Sequence, residues 1–249
     1  MKAAITKAID TLRLNPVPYN GVIIDDYTAK WNILLILYVA PYYGSLATGL
    51  DALLAGDVVS FFTNTTRGDL VGGTQALIGI VCGDKLDRAS SLDEIRPGIA
   101  KYEQMGMFSD TLINYHGFDC ARWRFAAKER YTGNFNVKTK SPLLFVGNTF
   151  DPVTPYISAK NMSLSFEGSV FLQSNIFGVR ILSLILRGCE VFNSDSHAQH
   201  STLSGHTSKC IEKAIFDYFD TGALPKPDTV CEPDMPIFTK DMLIPLNAA

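Results

Sequence analysis

The chain has 249 residues, 47% of them hydrophobic and 19% charged, so it can bury a sizeable core and is neither a disordered tail nor a low-complexity segment. Its 22 Lys and Arg against 25 Asp and Glu leave a net charge of −3, which gives no electrostatic attraction for nucleic acid or an anionic membrane surface. The longest apolar stretch, Trp31 to Ala40, is broken by Asn32 and falls well short of the roughly 18–20 residues that span a bilayer.

Taken in chain order, Ile5, Ala8, Ile9 and Leu12 recur at offsets 0, 3, 4 and 7 and predict a helix over residues 1–13, stopped by Pro16 and Pro18. From about 28 to 131 no strand alternation is present. Leu46, Leu50, Leu53 and Leu54 make one apolar stripe closed by Gly56, and further helical stretches are predicted over about 70–81, 92–105 and 110–130. The pattern changes after Thr139. Pro142-Leu143-Leu144-Phe145-Val146-Gly147-Asn148 is a short apolar run bounded by Pro and Gly-Asn, as a buried parallel strand reads. A loop Asp151–Pro155, a helix over about 157–166 and a second strand, Gly168–Gln173, follow. Ile211, Ala214, Ile215, Tyr218 and Phe219 predict a last helix, capped by Thr207 or Ser208 and ended by Gly222. Strand, helix, strand, helix implies a βαβ unit at the edge of a parallel sheet, with neighbouring strands expected beside it.

Five cysteines and two sequons, Asn64-Thr65-Thr66 and Asn161-Met162-Ser163, fit an oxidising, secretory environment. The N-terminus carries no apolar core of signal-peptide length and no cleavage site, so the chain is expected to begin inside a longer secreted protein.

Functional groups of an α/β sheet gather at the carboxyl ends of its strands. Asp151 stands there after the first strand, in a loop stiffened by Pro152 and Pro155; His197, His200 and His206 follow the second. Acid after one strand and His after the next is the order in which an α/β-hydrolase supplies its orienting carboxylate and general base. The imidazole takes the nucleophile's proton, and the carboxylate fixes the imidazole's tautomer. The same residues also fit a turn-forming Asp-Pro with surface histidines.

The blocks Pro142–Pro155, Gly168–Gln173, Cys210 with Tyr218-Phe219, Gly222-Ala223-Leu224-Pro225 and Thr229–Asp234 resemble the C-terminal domain of the tripeptidyl aminopeptidase-like α/β-hydrolases. Ile80–Asp84 and Cys120–Trp123 are similar to that family's cap and linker. The resemblance implies secreted serine hydrolases that release short peptides from free N-termini or cleave related amides and esters. It implies Asp151 as the triad acid, His200 as the base, and the disulfides Cys82–Cys120 and Cys210–Cys231.

Two features depart from that family. No Gly-x-Ser-x-Gly elbow occurs in the sequence; Gly44–Gly49 has the wrong spacing. Loss of a nucleophile costs on the order of a millionfold in turnover, so the chain alone is expected to be inactive. Secondly, 49 positions separate Asp151 from His200, about twice the spacing the resemblance implies. The 24 residues Ile176–Gln199 have no counterpart and read as a translated intron or similar gene-model artefact. Cys189, inside that segment, is the cysteine left over. A reactive thiol there, or a zinc site among His197, His200, His206, Cys189 and Cys210, is disfavoured because no standard ligand or activation pattern fits. His116 has no assigned role. The aromatic stretch Tyr38–Tyr43 is a candidate for packing or for lining the acyl side of a cleft, and Asp84 for a turn cap or for meeting a substrate's amino terminus.

These observations predict an α/β fold: the last strands of a parallel sheet in a partial α/β-hydrolase fold, preceded by a mostly helical cap. Residues 1–140 form the cap and linker, and residues 141–249 the hydrolase portion. The expected function is that of a secreted peptidase or related hydrolase lacking its serine. A nonenzymatic peptide-binding remnant and one half of a split enzyme are the alternatives. No cofactor or metal is expected, the partner being a peptide or a small amide or ester rather than nucleic acid or membrane.

Overall fold

Helical spacing at the N-terminus produces α1 (Lys2–Leu14), which buries Ile9 and Leu12. The computed structural model describes residues 1–38, 40–66, 74–86, 88–104, 106–113, 118–178 and 208–236. The chain divides into two units, Met1–Asn32 with Gly68–Thr132 and Ile33–Arg67 with Gly133–Ala249.

After the proline stop the chain forms an antiparallel hairpin, β1 (Val17–Tyr19) and β2 (Val22–Ile24), which helical periodicity did not foretell. Its turn is Asn20-Gly21, with φ of +46° and +78°, the left-handed pair that a two-residue hairpin turn requires. Helix α2 (Asp26–Leu37) begins in the first unit. There the Lys30 ammonium, 9% exposed, lies 2.5 Å from Asp110 Oδ2 and 3.6 Å from Asp26 Oδ2; Arg13 Nη2 reaches the same Asp26 oxygen at 3.0 Å. A cation this deeply buried is tolerable only with such partners.

In the second unit a 3₁₀ turn (Ala40–Tyr42) leads into α3 (Tyr43–Leu54). Tyr43, Leu46, Gly49 and Leu53 are its buried face, while Leu54, expected in the stripe, is exposed. Gly56 (φ +86°) follows α3, and Asp57 accepts from Ser60 N at 2.9 Å to cap α4 (Val58–Thr65), a helix absent from the sequence reading. The two helices pack tightly: a Cβ on Gly49 would stand 2.7 Å from Thr65 Cγ2.

The first unit resumes with α5 (Thr74–Asp84), α6 (Leu92–Glu103), α7 (Ser109–Ile113) and the single turn α8 (Asp119–Ala121). The helix expected over 110–130 is therefore corrected: residues 122–130 are not helical. The backbone there is satisfied by distant groups instead. The Arg88 guanidinium donates to the carbonyls of Trp123 (2.6 Å), Phe125 (3.0 Å), Lys85 (2.8 Å) and Cys82 (2.9 Å). Ala127 N donates to Gly83 O, and Arg130 Nη1 to Asp84 O. The Cys82–Cys120 disulfide closes the same region, with Cα atoms 4.8 Å apart.

The second unit then builds its sheet: β3 (Leu144–Phe150), α9 (Tyr156–Ser163), β4 (Val170–Phe177), α10 (Lys209–Thr221) and β5 (Val230–Cys231). The order is β3-β4-β5, all parallel, with Val146 opposite Leu172 and Ser174 opposite Cys231. One face carries Leu144, Val146, Leu172 and Ile176 against Ile211 and Ile215 of α10. On the other face, Gly147 lets α9 approach; a Cβ there would stand 3.0 Å from both Tyr156 Cα and Phe171 Cε2. Strand β4 runs four residues past the predicted end. Ile176 and Phe177, the first residues of the segment thought to lack a counterpart, belong to it: Ile176 is fully buried, and Phe177 stacks on Phe150 at 4.3 Å. Residues 179–199 lie outside the described residues. Helix α10 ends at Gly222, φ +76°, as expected. Ser208 is its N-cap position, but its hydroxyl donates to Glu232 O (2.7 Å), and Asp234 takes up the first helical N–H.

Candidate active site

Strand β3 delivers Asp151 to the carboxyl end of the sheet, where the Asp-Pro-Val-Thr-Pro loop folds back around its carboxylate. Oδ1 accepts from Val153 N (2.8 Å) and Thr154 N (2.7 Å), and Oδ2 accepts from the Thr154 hydroxyl (2.6 Å). The turn-forming role weighed against the catalytic one is thus realised, yet it does not exhaust the group. A carboxylate offers about four lone-pair sites, and these three donors leave one on Oδ2. A cavity of about 120 Å³ adjoins it, lined by Val146, Gly147, Asn148, Asp151, Thr154 and Pro155 among others. A larger hollow, about 740 Å³, runs along α1; among the described residues it is bordered by that helix and Asn15, which bring together no catalytic grouping.

The carboxyl ends of the strands carry further polar and aromatic groups. Gln173 Nε2 donates to Thr149 Oγ1 (3.0 Å), Thr149 Oγ1 to Asn175 Oδ1 (2.7 Å), and Asn175 Nδ2 to Glu232 Oε1 (2.6 Å), a ladder that joins β3, β4 and the residue after β5. Asn148, on the opposite face, donates from Nδ2 to the buried carbonyl of Gly178 (3.0 Å). Gly178 has φ +85°, and a Cβ there would stand 2.9 Å from Tyr38 O, so the exit of β4 requires glycine.

Tyr43, from the aromatic stretch, sets its ring edge-on to Phe177 at 6.5 Å and donates its hydroxyl to Leu37 O (3.0 Å). Burial, and after it the charge of Asp151, push the Tyr43 phenol up to about 12 from the usual value of 10.0. A phenol raised in the folded state contributes stability that is whole below pH 10 and is lost as the pH climbs through 12. Urea melts between pH 9 and 12 should show a fall of roughly 2 kcal/mol that the Tyr43→Phe variant lacks; equal slopes in the two proteins would contradict this electrostatic account. Sequence reasoning could not pair Tyr43 with Asp151, because no local signal joins positions so far apart.

His200 lies outside the described residues, as do His116, Cys189, His197 and His206. Cys210 is bonded to Cys231, which removes it from any ligand set; both disulfides pair as the resemblance implied. Asp84 is exposed at the end of α5. Among the described residues no helix is long and apolar enough to cross a membrane.

A parallel sheet crossed by α9, an acidic turn at the carboxyl end of β3 and a helical portion ahead of it define a partial α/β-hydrolase fold. Residues 106–231 match the family model of the TAP-like proteins, the tripeptidyl aminopeptidase-like α/β-hydrolases, and the chain belongs to that family. No curated protein matches the chain.

Proposed function

We propose that this chain supplies the orienting acid and the general base of a secreted serine hydrolase acting on peptides or related amides and esters. Asp151 is the acid and His200 the base. The observation that carries this reading is the remaining acceptor site of Asp151: its loop fixes Oδ1 with two N–H donors and holds Oδ2 with one hydroxyl. In the reaction, an imidazole Nδ1–H donates to Oδ2 while Nε2 takes the proton of the attacking seryl oxygen. The proton then passes to the leaving amine or alkoxide, and water releases the acyl group by the same route in reverse. The 249 residues contain no Gly-x-Ser-x-Gly, so the reading assigns them the acid and the base and not the seryl nucleophile or its oxyanion hole.

A fluorophosphonate probe tests this directly. The purified chain should remain unlabelled. Mixed with a polypeptide carrying the family's nucleophile strand, it should promote labelling of that polypeptide's serine, and His200→Ala should abolish the gain. Labelling of this chain by itself would overturn the assignment.

A further inference from the structure

The two sequons stand in opposite environments. Asn64 is half-buried on α4; its Nδ2 donates to Ser60 O at 2.8 Å, and its Cβ lies 3.5 Å from where a Gly49 Cβ would sit. Asn161 is exposed on α9, on the side away from Tyr156 and Ser163, and its carboxamide makes no hydrogen bond among the described residues. Its helical neighbours one turn away are apolar and open to solvent: Ile157, four residues before, is 47% exposed and Leu164, three residues after, 80%. Ile157 and Leu164 therefore put apolar surface on the same side of α9 as Asn161.

We infer that Asn161 is an N-glycosylation site whose glycan covers the apolar stripe of α9, and that Asn64 stays unmodified in the folded protein. In the modification, Asn161 Nδ2 bonds to C1 of an oligosaccharide carried on a polyprenyl diphosphate. The C1–O bond breaks, the diphosphate leaves with the bonding pair, and the amide proton passes to the transferase's base. The first sugar ring then lies within reach of Ile157 and Leu164. The Asn64 amide is half-buried and already donates to a carbonyl of its own helix.

The full chain, expressed in yeast behind a secretory leader, supplies the test, with occupancy read on cells and medium together by endoglycosidase mobility shift and peptide mass. A single glycan is expected, kept in Asn64→Gln and lost in Asn161→Gln. Enzymatic removal of the glycan from the native protein should raise hydrophobic-dye binding, and Ile157→Ser with Leu164→Ser should cancel that rise. An unoccupied Asn161, or a glycan on Asn64 in secreted protein, would overturn the site. Dye binding that ignores deglycosylation, or self-association through α9 in the glycosylated form, would overturn the covering role.

Discussion

Replacing Asp151 with Asn should leave the fold intact and yet lower kcat of the reconstituted hydrolase by about 10⁴. The asparagine can still cap its own turn: a carboxamide oxygen accepts from Val153 N and Thr154 N as Oδ1 now does, while its NH₂ donates to the Thr154 hydroxyl. What that NH₂ cannot do is accept. The position that receives an imidazole N–H becomes a second donor, which forces the base into the wrong tautomer. A urea midpoint within experimental error of the parent, together with the collapse of acyl-enzyme formation, is the expected pair of results. If the variant unfolds, Asp151 is principally a turn residue. If it folds and turns over normally, the orienting acid lies elsewhere.

The second large effect concerns the sheet's last strand. β5 has only two residues, and its attachment rests on two pairings with β4, the Ser208 hydroxyl on Glu232 O, the Asp234 carboxylate on Lys209 N, and the Cys210–Cys231 bond. Cross-linking positions 21 apart in sequence removes chain entropy from the unfolded state worth roughly 3 kcal/mol. Cys210→Ala with Cys231→Ala should therefore lower unfolding free energy by about that amount in denaturant melts. Amide exchange at Val230 and Cys231 should rise first, ahead of Leu172 and Ile176 in the core. An unchanged midpoint would mean that the pairings with β4 and the Ser208 and Asp234 hydrogen bonds hold the strand without the cross-link.

Local chemistry made much of the second unit legible. The apolar run in Pro142–Asn148 reads as a strand because it is packed on both faces, and Asp151 is found by its place just beyond. Strand β4 outruns its predicted end at Gln173 because the polar Ser174 and Asn175 carry no apolar strand signal. In the fold, Gln173 and Asn175 lie on one face and satisfy each other through Thr149, while Ser174 is buried on the other. The polarity of Gln173 and Asn175 answers to groups beyond their own strand, which a single segment does not reveal. The hairpin at Val17–Ile24 is the converse case: Asn20-Gly21 is a strong local turn signal, and Pro18 sits inside the first of its two short strands. Residues 122–130 carried helical propensity, but tertiary donors claimed their carbonyls. Tyr43 joined the Asp151 neighbourhood only through tertiary folding.

The clasp around Arg88 has a consequence for behaviour in brine. Its acceptors are neutral peptide oxygens gripped at contact range, so mobile counter-ions have little to compete for. The Arg13–Asp26 pair in the same unit joins opposite charges with the guanidinium well exposed, and dissolved electrolyte weakens such a link. Concentrated sodium chloride would thus slacken the tie from α1 to α2 while the joint between residues 82–88 and 123–125 keeps its grip.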